Sequence, residues 1–140
     1  MRIISGYLKG KKIDLPKDNL TRPLKDMVKE SIFNIIYHSK NFNFKIKGAK
    51  VLDLFSGSGS FGLECISRGA EKVTFNENYK NAIEILEKNI KNLDCIKKSE
   101  ILKTDCFQLS KKFNQKVDLI FMDPPFKEKN INQLLILIQK

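Results

Sequence analysis

Residues 51–62 read Val-Leu-Asp-Leu-Phe-Ser-Gly-Ser-Gly-Ser-Phe-Gly: an apolar strand, a glycine-rich turn and a helix start. Gly57 and Gly59 let the backbone approach a ligand closely, and Gly62 permits tight packing of helix on sheet. The same strand-and-helix rhythm runs on from there. Strands are expected at 50–55, 72–76, 100–104 and 117–122. Helices are expected at 60–68 with Gly69 as a stop, at 80–93 with Ile83, Leu86, Ile90 and Leu93 on one face, through Phe113, and from Asn130 onward. Such alternation implies a parallel sheet with right-handed helical crossovers, whose ligands sit beyond the carboxyl ends of the strands.

The residues at those ends point to a nucleoside-bearing cofactor. Glu77 lies 20 residues after Gly57, where a carboxylate accepts from both hydroxyls of a ribose. A dinucleotide would place its pyrophosphate on the helix N-terminus, and Asp53, just before the glycines, would repel that anion. Asp53 suits instead a cationic, amine-bearing ligand without phosphate, such as S-adenosylmethionine. A buried Asp53 capping backbone N–H groups of the turn is compatible with that reading. At the end of the third strand two readings of Asp105 stand together. It accepts from an adenine amine, with the Cys106 N–H donating to a ring nitrogen, or it caps the short helix that follows.

The fourth expected strand ends in Asp123-Pro124-Pro125-Phe126. Two prolines, each with fixed φ and no N–H, force the backbone out of the sheet as a stiff extended loop. The loop is either a plain strand-ending turn or a platform of acceptors and one aromatic face for a flat, amine-bearing ring.

The 140 residues suffice for one domain with a core, and 41% hydrophobic content excludes a disordered chain. No apolar run reaches membrane-spanning length, and Met1–Gly6 lacks a signal-peptide pattern. Cys65, Cys95 and Cys106 are too far apart for a zinc site or a disulfide framework, so no metal is expected and a cytoplasmic location fits. The net charge of +10 is uneven: residues 1–50 carry 12 Lys/Arg against 4 Asp/Glu, and residues 51–140 carry 14 against 12. The N-terminal third is therefore an electrostatic footprint for a polyanion. Within it, 2–5 and 11–15 read as a basic hairpin. Thr21-Arg22-Pro23 opens a helix whose Leu24, Val28, Ile32, Ile35 and Ile36 are expected on its buried face. Arg22 with Asp26 is either functional or a local ion pair. Lys9, Lys11 and Lys12 either touch phosphate or solvate the hairpin tip.

With these residues assembled, the chain resembles the bacterial 16S ribosomal RNA guanine-N2 methyltransferases, within the Rossmann-like S-adenosylmethionine-dependent methyltransferases. The resemblance rests on Arg2-Ile3-Ile4-Ser5-Gly6, Lys9-Gly10, Thr21-Arg22-Pro23 with Asp26, Glu30 and Phe33-Asn34, and 53–59. It extends to Ser67-Arg68-Gly69-Ala70, Glu77 and Asp123-Pro124-Pro125-Phe126. It implies an α/β, class I methyltransferase fold with a parallel sheet in the order 3-2-1-4, preceded by the basic hairpin and helix. Residues 1–48 would contact RNA through Arg2, Lys9, Lys11, Lys12 and Arg22, and 49–140 would bind the cofactor. Asp53, Phe55, Gly57 and Gly59 would line its methionine part, Glu77 its ribose, and Asp105 with Cys106 its adenine. Asp123 and the Pro124 carbonyl would bind the guanine amine beside Pro125, with Phe126 stacking on a flipped base. The implied partner is 16S rRNA or an assembling small subunit, approached by a monomer.

The sequence departs from the family at Asn76, usually apolar, and at Tyr79, usually acidic. The family also implies three more strands after the Asp-Pro-Pro motif, without which the fourth strand would be an open, apolar edge. The alternatives are an amino-methyltransferase on another base or RNA and a catalytically inactive RNA-binding protein. An NAD-dependent oxidoreductase is disfavoured by Asp53 and the Asp-Pro-Pro-Phe loop.

Overall fold

The computed structural model describes residues 1–18, 24–41, 43–125, 132, 133 and 136. Its elements are α1 (Asp26–His38), β1 (Lys50–Asp53), α2 (Ser60–Ser67), β2 (Lys72–Asn76), α3 (Lys80–Asn92), a 3-10 turn (Ile96–Lys98), β3 (Ser99–Leu102), α4 (Cys106–Lys112) and β4 (Leu119–Phe121). Four parallel strands pair in the order β3-β2-β1-β4, as expected. Among the described residues no helix is long and apolar enough to cross a membrane. Arg22, Phe126 and most of the helix expected from Asn130 lie outside the described residues.

Register aligns the strand ends. Asp53 of β1 lies opposite Phe75 of β2 and opposite Phe121 of β4. The glycine turn after β1 and the Asp-Pro-Pro loop after β4 therefore leave the sheet side by side. Both outer strands are shorter than expected, β3 stopping at Leu102 and β4 spanning only Leu119–Phe121. Parallel pairing lasts only as long as the neighbour runs: β2 ends at Asn76 opposite Leu102, and β1, itself expected to reach Phe55, ends at Asp53 opposite Phe121. At Gly62 the expected close packing is real: a Cβ there would lie 2.3 Å from the Phe75 ring.

The N-terminal segment folds back through an Arg2–Lys12 bridge, with the Ile3 N–H donating to Lys11 O (2.9 Å) and the Ile13 N–H to Met1 O (2.9 Å). Ile3, Leu8 and Ile13 enter the same apolar cluster as Val51, Phe61 and Leu63. Gly6 makes the contact possible. Its φ is +88°, and a Cβ would lie 2.0 Å from Ser67 O, so only glycine lets the turn lie against the end of α2. The Tyr7 N–H then donates to Ser67 O (3.0 Å) and the Leu8 N–H to Ser67 Oγ (2.9 Å).

Helix α1 corrects the periodicity reading in two ways. It starts at Asp26 rather than beside Pro23, and its buried residues are Lys29, Phe33 and Ile36. Val28 and Ile35, expected inside, are 46% and 56% exposed. The rotation follows from Glu64, which is fully buried on α2. Its Oε1 accepts from the Ile4 N–H (2.9 Å) and lies 3.2 Å from Lys29 Nζ; its Oε2 accepts from the Ser5 N–H (3.0 Å) and Arg68 Nε (2.8 Å). Lys29 also donates to Arg2 O (3.2 Å) and Ser60 Oγ (3.1 Å). A buried carboxylate with this many donors draws the one lysine that reaches it inward, and the apolar stripe turns outward.

Candidate active site

At the carboxyl ends of the strands lies a cavity of about 250 Å³. Asp53, Phe55 and Gly57 reach it from the β1 side, Glu77 from β2, Asp105 and Cys106 from β3, and Asp123, Pro124 and Pro125 from β4. Nine expected site residues from four separate stretches thus line one space. Gly59 is not among its lining residues; it caps the N-terminus of α2. Arg2, Lys9, Lys11 and Lys12 are exposed on the N-terminal segment and do not line the cavity.

Asp53 is 1% exposed. Its Oδ2 accepts from the Gly62 N–H (3.3 Å), so it caps the first turn of α2 rather than the glycine turn, and its Oδ1 has no partner among the described residues. Burial pushes its pKa up to about 7 against the Gly62 N–H, with the Glu77 and Asp123 carboxylates adding to the rise. Glu77 is also raised, chiefly by burial, although the Gly57 N–H (3.2 Å) and Asn78 N–H (3.3 Å) donate to its two oxygens. Carboxyl groups perturbed in this way and gathered in one cleft mark a candidate functional site.

Asp105 does cap α4, accepting from the Phe107 N–H at 2.7 Å, while it also borders the cavity. Beneath it, Asn76 Nδ2 donates to Leu54 O (3.3 Å) and Cys106 Sγ (3.1 Å), and the Cys106 thiol donates to Leu54 O (3.1 Å). The unusual Asn76 thereby ties together the chain segments carrying Phe55, Glu77 and Asp105. Its Oδ1 is buried without a partner among the described residues.

Several lining residues escaped the sequence reading. Phe121 and Phe61 stack at 3.8 Å between centroids and 9° between planes, and both border the cavity. Phe33 stacks on Phe61 at 5.0 Å, and the Arg68 guanidinium lies 4.1 Å from the Phe33 centroid. Phe121 had a local signal, since it ends the strand two residues before Asp123; the stack itself joins residues far apart in the chain. Asn89 was likewise missed. Its Nδ2 donates to Ser58 O and to Asp14 O (2.9 Å each), and its Oδ1 accepts from the Asp14 N–H (2.9 Å), fastening the glycine turn to the N-terminal segment.

The strand order, the glycine turn and the acid at the end of β2 define a Rossmann-like class I methyltransferase fold. The chain belongs to the family described as Conserved hypothetical protein 95, whose model matches residues 1–140. It is 38% identical to "Putative rRNA methyltransferase YlbH" of Bacillus subtilis, covering 100% of this chain and 74% of that protein. It is 37% identical to "Ribosomal RNA small subunit methyltransferase D" of Buchnera aphidicola subsp. Baizongia pistaciae, covering 100% of this chain and 68% of that one. Among solved structures, "Putative methyltransferase yhhF from Escherichia coli" superposes with a TM-score of 0.84 at 28% identity, over 100% of this chain and 72% of that one.

Proposed function

We propose that the protein transfers a methyl group from S-adenosylmethionine to the exocyclic N2 amine of a guanine in small-subunit ribosomal RNA. The observation that carries this reading is the single cavity in which Asp53, Glu77 and Asp105 share walls with Asp123, Pro124 and Pro125. The names of the relatives support the RNA substrate.

The residues present fit the cofactor. Asp53 Oδ1, a buried carboxylate oxygen without a partner among the described residues, suits an ammonium or a sulfonium, and no phosphate has to be placed near it. Asp53, Phe55 and the Gly57–Gly59 turn would hold the methionine part. Glu77 would accept from the ribose hydroxyls with the acceptor capacity that its carboxylate keeps beyond the backbone N–H groups of Gly57, Asn78 and Tyr79. Asp105 and the Cys106 N–H would recognise adenine. When bound, S-adenosylmethionine supplies an electrophilic methyl carbon on a positively charged sulfur.

The guanine must leave its stack to bring N2 into the cavity. Asp123 and the Pro124 carbonyl then accept from the amine, favouring a tetrahedral nitrogen whose lone pair is no longer delocalised into the ring. The amine attacks in line, its N–C bond forming as the C–S bond breaks. The excess N–H proton leaves to Asp123 or to solvent. Asp123 need not be a strong base, because the alkylated amine is acidic before it loses that proton. Positive charge grows on nitrogen, and Asp123 stabilises it there. Holding both reactants in near-attack geometry contributes up to roughly 7–11 kcal/mol. Labelled-methyl transfer to methyl-deficient 30S particles, followed by nucleoside analysis, tests the reading. N2-methylguanosine is the expected product; label in another nucleoside, or none, overturns it.

A further inference from the structure

A second feature lies away from the cavity. The N-terminal turn around Gly6–Lys9 is clamped to Ser67, the last residue of α2, whose first residue borders the cavity. The eight residues of α2 span about 12 Å, so this turn sits roughly that far from the reaction site along the helix. It carries Tyr7, which is 63% exposed although its neighbour Leu8 is buried. The clamp on its own N–H gives the ring little backbone freedom. Lys98, from the 3-10 turn before β3, places its ammonium 5.9 Å from the Tyr7 ring centroid.

Four exposed lysines belong to these two turns: Lys9 and Lys11 on one, Lys97 and Lys98 on the other. None of them forms an ion pair among the described residues, whereas Lys72, Lys88 and Lys103 are each matched to a carboxylate. Burial, then the hydrogen-bonded Cys95 and lastly Asp94 of the same loop push the Tyr7 hydroxyl pKa up, so the hydroxyl is tied to this loop as well. The body of the protein, nearly neutral by sequence, thus lends two lysines to the basic N-terminal region at one place, beside an aromatic face.

We infer that these two turns form a second RNA-docking surface, with Tyr7 stacking an unpaired base and Lys9, Lys97 and Lys98 contacting the flanking phosphates. The chemistry is that of single-strand binding: a sequence-tolerant aromatic platform inside a cationic rim. Contacts at this distance from the cavity set the register of the RNA and leave base selection to the reaction site. The inference rests on the proposed RNA substrate. It adds Tyr7, Lys97 and Lys98, which charge segregation in the sequence did not single out.

Fluorescence anisotropy of labelled single-stranded oligoadenylate, titrated across salt, tests it on the full chain. Lys97→Glu combined with Lys98→Glu is expected to weaken binding at least tenfold and to flatten the log–log salt slope by about 1.4, at about 0.7 per lost phosphate contact. Tyr7→Ala is expected to weaken binding about tenfold. Tyr7→Phe, which keeps the ring, should bind like the parent. Unchanged affinity and slope in the lysine variant overturn the inference, including the case in which this face serves a protein. Equal losses in Tyr7→Ala and Tyr7→Phe overturn the stacking role. Calorimetry with S-adenosylmethionine on the same variants separates the two readings. The parent failing to bind cofactor counts against the proposed function alone, and retained cofactor binding with insensitive RNA binding counts against the docking surface alone.

Discussion

Glu64 and Asp53 are buried carboxylates eleven positions apart in the chain, at 0% and 1% exposure, and they do opposite things. Glu64 is saturated: two backbone N–H groups, Lys29 and Arg68 surround it. Asp53 accepts from Gly62 through one oxygen, and its other oxygen has no partner among the described residues. Burial alone therefore says little about role. A fully partnered carboxylate is a fastener, here joining the N-terminal segment to α2. A half-partnered one, with a pKa driven up to about 7, is where we propose that the positive charge of the cofactor sits.

The largest expected effect tests the fastener. Glu64→Ala leaves Lys29 buried without its carboxylate and should cost about 3–5 kcal/mol of stability in urea melts. A loss below about 1 kcal/mol, the scale of exposed pairs, would reduce the cluster to an ordinary surface interaction. Next comes the acceptor end of the cavity. Asp123→Ala should lower methyl transfer by about 10²–10³-fold while S-adenosylmethionine still binds, read by single-turnover transfer and calorimetry. Loss of cofactor binding with unchanged transfer per bound cofactor would reassign Asp123.

Asp53→Asn should sharpen the contrast by changing sign. The folded pKa of Asp53, about 7, lies above its unfolded value near 3.8, so between them the folded state holds more protons. Stability therefore falls as pH rises through that window, and the penalty is complete above pH 7. Removing the charge should stabilise the ligand-free protein at pH 8 by on the order of 2–4 kcal/mol, and hardly at all at pH 4. The same variant should lose S-adenosylmethionine binding. A thermal melt at the two pH values decides it, and destabilisation at pH 8 would contradict the assignment. The smallest effect belongs to Asp105→Ala, which removes the cap of α4 at a cost of about 1 kcal/mol and should weaken cofactor binding only modestly.

Much of the site was legible because its residues are local to strand ends. Asp53 precedes a glycine turn, Glu77 closes the next strand, Asp105 caps a short helix and Asp123 opens a double-proline loop. A parallel α/β sheet delivers its strand ends to one edge, so four local patterns imply one cavity without any knowledge of side-chain packing. The strand order followed from the resemblance and agrees with the pairing observed.

What local pattern could not reach was decided by partners distant in the chain. Periodicity scores Lys29 as polar and turns α1 the wrong way, because the carboxylate that compensates its desolvation lies on another helix, 35 positions later. The same holds for Phe33, Phe61 and Phe121, whose stack spans three elements, and for Asn76, which meets Leu54 and Cys106 only in the folded state. By itself the sequence determined the secondary structure, the parallel sheet and the acids around the cavity, since these depend on short-range backbone chemistry. Only the tertiary structure decided which buried carboxylate is fully partnered and which keeps an oxygen unpartnered among the described residues, because that depends on donors brought in from elsewhere in the chain.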